Sequence, residues 1–152
     1  TGDLISEVWF EAGTSSSETA TIGSTLDISA GSTVVLNIKL LDPSDFNHNR
    51  ENPTLERVDL IFGEFFEERI DLDADENPST KVLKRWGRDE LGTEENYLIA
   101  KYVIENVGKS FYVRLRGTNS KELEPLEDGE NENPWEDLWF YTNPIFVEIE
   151  NS

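Results

Sequence analysis

The sequence predicts an all-β domain, an immunoglobulin-like or fibronectin-like antiparallel β-sandwich. Three observations predict it. Apolar residues recur at every second position in a series of short runs. Turn-forming residues separate those runs. No stretch carries a helical apolar stripe with caps at its ends. A closed barrel satisfies the same pattern and stays open as the alternative.

The runs follow in order. Val8 and Phe10 alternate with Glu7, Trp9 and Glu11. Val34, Leu36, Ile38 and Leu40 alternate with Asn37 and Lys39. Val58, Leu60 and Phe62 alternate with Arg57 and Asp59. Leu98, Ala100, Tyr102 and Ile104 share one face, with Lys101 and Glu105 opposite. Phe111, Val113 and Leu115 alternate with Tyr112, Arg114 and Arg116. Ile145, Val147 and Ile149 alternate with Glu148 and Glu150. Successive side chains of a strand point to opposite faces, so each run can turn one face to a dry interior and the other to water. Arg114 and Arg116 then fall on the wet face and are expected to pair with acids of a neighbouring strand.

Turns are expected at Ala30-Gly31-Ser32, Asp42-Pro43-Ser44-Asp45, Glu51-Asn52-Pro53, Asn77-Pro78-Ser79, Asn106-Val107-Gly108 and Asn143-Pro144. Asp89 to Glu95 is the best helical candidate, weakened by Gly92. Residues 119–137 carry eight acids and one Lys, and read as a long loop between strands ending near Gly117 and starting near Trp139.

Composition bounds the function. The 152 residues are enough for one domain, and 36% are hydrophobic, enough for a packed core. With 13 basic and 32 acidic residues the formal charge is −19. Such a surface repels phosphate backbones, which speaks against nucleic acid as a partner. It also disfavours anionic bilayers, and no apolar run reaches the ~20 residues of a membrane-spanning helix, so no membrane insertion is expected. The absence of Cys excludes disulfides, thiolate catalysis and Cys-ligated metals, and one His excludes a multi-His centre. The chain also lacks Met, as a module taken from a longer protein can.

Two constellations carry chemistry. Asp71, Asp73 and Asp75 alternate in an acidic segment, where their oxygens can converge on a hard cation such as Ca²⁺. Glu76 and Val82 stand where an EF-hand needs Gly and Glu, so only a looser calcium loop fits. The alternative is a solvated acidic turn. Trp135, Trp139 and Tyr141, with Phe140, adjoin a carboxylate-rich loop. Aromatic faces beside acceptors suit sugar rings, whose C–H faces stack while their hydroxyls donate. The alternative is that these aromatics plug one end of the sandwich. Asp42, Asp45, Asn47, His48 and Asn49 form another oxygen-rich loop, of a composition that also suits plain turns. Close carboxylates such as Glu64, Glu67 and Glu68 carry no weight by themselves in so acidic a chain.

Three stretches carry a resemblance. They are Arg57-Val58-Asp59-Leu60-Ile61-Phe62-Gly63-Glu64, Asn77-Pro78-Ser79-Thr80-Lys81-Val82, and the segment from Lys109 to Asn119 continued by Trp135 to Val147. In this order, over roughly residues 33–150, they resemble the C-terminal region of secreted bacterial phosphoesterases of the polymerase-and-histidinol-phosphatase (PHP) type. There an upstream metallo-hydrolase domain carries the reaction, at a cluster of several His and carboxylates. His48 alone offers no positions for that motif. The resemblance therefore implies a non-catalytic accessory sandwich, residues 1–152, forming the C-terminal domain of an exported, extracellular or periplasmic hydrolase. Its partner would be the upstream catalytic domain of the same protein. The second reading is a carbohydrate or cell-surface binding module using Trp135, Trp139 and Tyr141, with calcium held by Asp71, Asp73 and Asp75.

Overall fold

A computed structural model of the protein describes residues 4–16, 18–65, 77–125, 133 and 135–150. Among these, eleven strands form two sheets. They are β1 (Glu7–Gly13), β2 (Thr19–Thr21), β3 (Thr25–Ile28), β4 (Val34–Leu41), β5 (Arg57–Glu64) and β6 (Lys81–Gly87). After them come β7 (Gly92–Glu94), β8 (Tyr97–Ile104), β9 (Phe111–Thr118), β10 (Trp139–Tyr141) and β11 (Ile145–Ile149). The first sheet has the order β2-β1-β4-β8-β7 and the second β3-β11-β9-β5-β6, with β10 also paired to β9. The fold is an all-β sandwich.

Each predicted alternation is a strand, and its apolar residues face the interior. Leu36 on β4, Leu60 on β5 and Leu115 on β9 are wholly buried. Removing a side chain of that size from water contributes about 1.5–3 kcal/mol. Phe62 and Phe111 stack in the second sheet at 5.1 Å between ring centroids. Gly63 leaves room for the Tyr112 ring, because a Cβ there would collide with it. That ring reaches across β5, and its hydroxyl is hydrogen-bonded to Thr80 Oγ1 at 2.7 Å.

Three local features depart from the sequence reading. Asp89 to Glu95 is not a helix: a 3-10 turn spans Arg88–Glu90, and the chain then becomes the edge strand β7. A capping bond from Gly87 N–H to Glu90 Oε2, 2.8 Å, closes the turn, while Gly92 cannot extend it without cost. The sheets are also not wholly antiparallel, because β3 runs parallel to β11, pairing Leu26 with Val147 and Ile28 with Ile149. The chain crosses from β2 in one sheet to β3 in the other through a tight turn. Gly23 adopts φ +81° there, and Ser24 Oγ donates to Thr21 O at 2.6 Å.

The third departure concerns β10 and β11, which lie end to end along one side of β9. Thr142, at their junction, donates its N–H to Leu115 O at 3.0 Å and accepts Leu115 N–H on Oγ1 at 2.9 Å. The ladder thus stays satisfied just before Pro144, which has no N–H to give. No helix among the described residues is long and apolar enough to cross a membrane.

Candidate functional site

Among the described residues, a cluster of paired charges lies on the outer face of the second sheet. Asp59 on β5 stands in register with Arg85 on β6 and with Arg116 on β9, and Arg57 shares its face two residues back. Asp59 Oδ1 accepts from Arg57 Nε at 3.0 Å. Its Oδ2 accepts from Arg116 Nη2 at 2.6 Å, Arg116 Nε at 3.0 Å and Arg85 Nη1 at 3.4 Å. The cross-strand pairing expected for Arg116 is present, but its face is not wet: Asp59 is 1% exposed and Arg116 5%. The segment after β9 covers them. There the Leu123 carbonyl accepts from Arg57, Arg85 and Arg116 at 3.0–3.2 Å, and Glu124 Oε2 accepts from Arg116 Nη1 at 2.5 Å.

Burial works against the Arg116 charge, but hydrogen bonds to Glu124 and Asp59 overcome it and hold its pKa above the ordinary arginine value. The Arg116 hydrogen bond correspondingly lowers the pKa of Glu124, against the opposing effect of partial burial. These groups satisfy one another within the chain. The cluster therefore fastens the covering segment to the sheet.

The predicted aromatic platform lies beside this cluster. Trp139 and Tyr141 share the outer face of β10, while Phe140 between them is buried on the inner side against Gly117. The Trp139 ring carries the guanidinium of Arg116 at 5.2 Å and that of Arg57 at 5.6 Å. Its indole N–H donates to Asp137. Tyr141, 49% exposed, lies 5.9 Å from the Arg114 guanidinium. Trp135 sits half-buried in the turn before β10, where its carbonyl accepts from Asn119 Nδ2 at 2.9 Å. Cation–π contacts of this kind use the ring faces that a sugar would otherwise stack on.

Asp71, Asp73 and Asp75 lie outside the described residues, as do Glu67 and Glu68. Glu64 is paired to Lys109 Nζ at 3.2 Å. In the other oxygen-rich loop, Asp42 Oδ2 binds Arg88 Nη2 at 2.6 Å and Asp42 Oδ1 accepts Leu55 N–H at 3.1 Å. Asn47 Oδ1 accepts the N–H groups of Asn49 and Glu51, each at 2.9 Å, which is turn chemistry. His48 is exposed. Among the described residues, no group of three or more His, Cys, Asp or Glu side chains is placed to hold a metal ion.

The first sheet presents a different surface, which the sequence reading passed over. A groove of about 860 Å³ extends over its outer face, lined by residues that include Trp9, Glu11, Asn37, Lys39, Tyr97 and Lys101, and reaches past the β7 edge to Trp86 and Glu90. Cross-strand register builds it in rows. Trp9 stands opposite Lys39, and Lys39 opposite Ile99. Glu11 stands opposite Asn37, and Asn37 opposite Lys101. Glu7 Oε2 accepts from Trp9 Nε1 at 3.1 Å and from the Tyr97 hydroxyl at 2.8 Å. Those two bonds lower the pKa of Glu7, that from Trp9 contributing most, and the bond to Glu7 raises the pKa of Tyr97. Lys39 Nζ lies 4.7 Å over the Tyr97 ring. Trp9 is 55% exposed. The available signal was Trp9 itself, a large aromatic on the glutamate side of its alternation.

No protein-family model matches the chain, and no curated protein matches it significantly.

Proposed function

We propose that this chain is a non-catalytic accessory β-sandwich domain at the C-terminal end of an exported hydrolase of the phosphoesterase type, packing against or presenting its catalytic domain. One observation supports this reading above the others. The three stretches that resemble such C-terminal regions come together as β5, the approach to β6, β9, β10 and β11, which pair as neighbours in one sheet. They form a single structural unit with an ionic cluster across its outer face, and the resemblance extends over that whole unit. The charged groups of that cluster are committed to one another and to the Leu123 carbonyl, an arrangement for rigidity rather than turnover.

The test is the reading frame upstream of Thr1, followed by an assay. The frame is expected to encode a His-rich metallo-hydrolase domain, with phosphoesterase activity in the full-length protein and none in residues 1–152 alone. An upstream frame without such a domain removes the proposal. Phosphoesterase activity in the isolated chain removes it equally.

A further inference from the structure

We propose that the outer face of the first sheet is a binding site for a neutral oligosaccharide, with the Trp9 indole as its stacking platform. This inference does not depend on a parent hydrolase. Trp9 is the one tryptophan among the described residues that is more than half exposed, and no other ring or cation lies against its face there. Its N–H is tied to Glu7, which is itself tied to the Tyr97 hydroxyl. The ring is thus held in place before any ligand arrives, so little ordering cost remains to be met on binding.

The groove continues beyond Trp9. A second cavity of about 270 Å³, lined in part by Gly13, Thr14, Thr19 and Thr33, shares Glu11 and Asn37 with the first. Together they run along the chain from Trp9 to Thr14, roughly 17 Å at ~3.3 Å per residue. That reach suits a chain of sugar units better than a single ring.

Chemistry decides the occupant. The backbone groups beneath Trp9, Asn37 and Lys101 are spent on the β1–β4 and β4–β8 ladders, so a peptide cannot add as a strand over that part of the face. Recognition must come from side chains. Glu11 accepts, Lys39 and Lys101 donate, and Asn37 and the threonine hydroxyls do both. Hydroxyls, which both donate and accept, match such a mixed lining. Glu94 pairs with Lys39 at 4.0 Å, and Glu11 and Glu90 also line the groove, so an anionic ligand meets repulsion here as well as from the net −19.

The experiment is a titration of the intact chain, followed by tryptophan fluorescence and calorimetry. The probes are cellohexaose, xylohexaose, mannohexaose and chitohexaose, with hexagalacturonate as the anionic arm. Saturable binding of at least one neutral hexasaccharide is expected, weakened about tenfold or more by Trp9→Ala. Trp139→Ala and Tyr141→Ala should leave it unchanged. Tyr97→Phe, which keeps the ring and removes the hydroxyl that helps hold Glu7, should weaken it less than Trp9→Ala. Thermal melts establish that each variant is folded. Three results overturn the proposal: no neutral hexasaccharide binds, binding survives Trp9→Ala in full, or only hexagalacturonate binds. Were Trp9→Ala to unfold, a Tyr97→Phe variant binding as tightly as the wild type would overturn it.

Discussion

Asp59 and Arg116 face each other across β5 and β9, with Oδ2 and Nη2 2.6 Å apart and both side chains almost completely buried. A buried charge that loses its partner is costly, because nothing replaces the water it gave up. Asp59→Ala removes the one buried carboxylate that Arg57, Arg85 and Arg116 share, leaving them the Leu123 carbonyl and Glu124. The expected loss is about 3–5 kcal/mol of unfolding free energy. Urea denaturation reads it as a lower midpoint at unchanged slope. A midpoint within error of the wild type would mean that the cluster contributes nothing to stability.

The same cluster makes a prediction about acid. The folded-state pKa of Glu124 lies below its ordinary value of 4.5 because Arg116 favours the carboxylate. A lowered folded-state pKa gives stability that is fully present above pH ~4.5 and lost as pH falls through the lower value. Relief of repulsion among the other acids acts in the opposite direction as pH falls towards 4.5. The comparison that isolates Glu124 is therefore wild type against Glu124→Gln. The wild type should be the more stable above pH 4.5, and the gap should close below it. A constant gap between pH 7 and pH 3 would contradict the assignment.

Glu7 offers a second, local titration. Both of its hydrogen-bond donors favour the carboxylate, so its protonation should occur below 4.5. The indole N–H resonance of Trp9 should move with that event in a two-dimensional NMR spectrum. In Glu7→Gln the acid-range shift should vanish. At high pH the Tyr97 phenol should ionise above its usual value of 10 for the same reason.

Gly117 tests packing. A Cβ at this position would run into the Phe140 ring and come within 2.9 Å of Leu55 Cδ1. Both neighbours are buried, so neither can simply swing away. Gly117→Ala should cost about 1–3 kcal/mol through overpacking. In a thermal melt the loss should appear as a drop of several degrees.

The sequence made the long strands legible because β1, β4, β5, β8, β9 and β11 each turn every second side chain, an apolar one, towards the core between the sheets. Strands β2, β3, β6 and β7 were not. Strand β2 is three residues, of which only Ala20 is buried, and β7 is Gly-Thr-Glu with no buried residue. Both are edge strands, fixed by pairing with a neighbour rather than by a dry face. Arg116 was assigned to the right face but to the wrong medium, because alternation says which side a residue takes and not what lies above it. The covering segment around Leu123 reads only as an acidic loop. Trp9 was placed on the correct face. Its link to Tyr97 runs through Glu7 across the β1–β4–β8 order, and no local pattern encodes that order.

The parallel seam between β3 and β11 has a consequence for synthesis. Residues 25–28 leave the ribosome about 120 residues ahead of the strand they join, residues 145–149. At ~5–20 residues per second, β3 waits on the order of ten seconds for its partner. During that interval Leu26 and Ile28 lack the neighbour that will cover them, and the second sheet cannot close. A partly made chain of this domain therefore carries an uncovered pair of apolar side chains until β11 is in place.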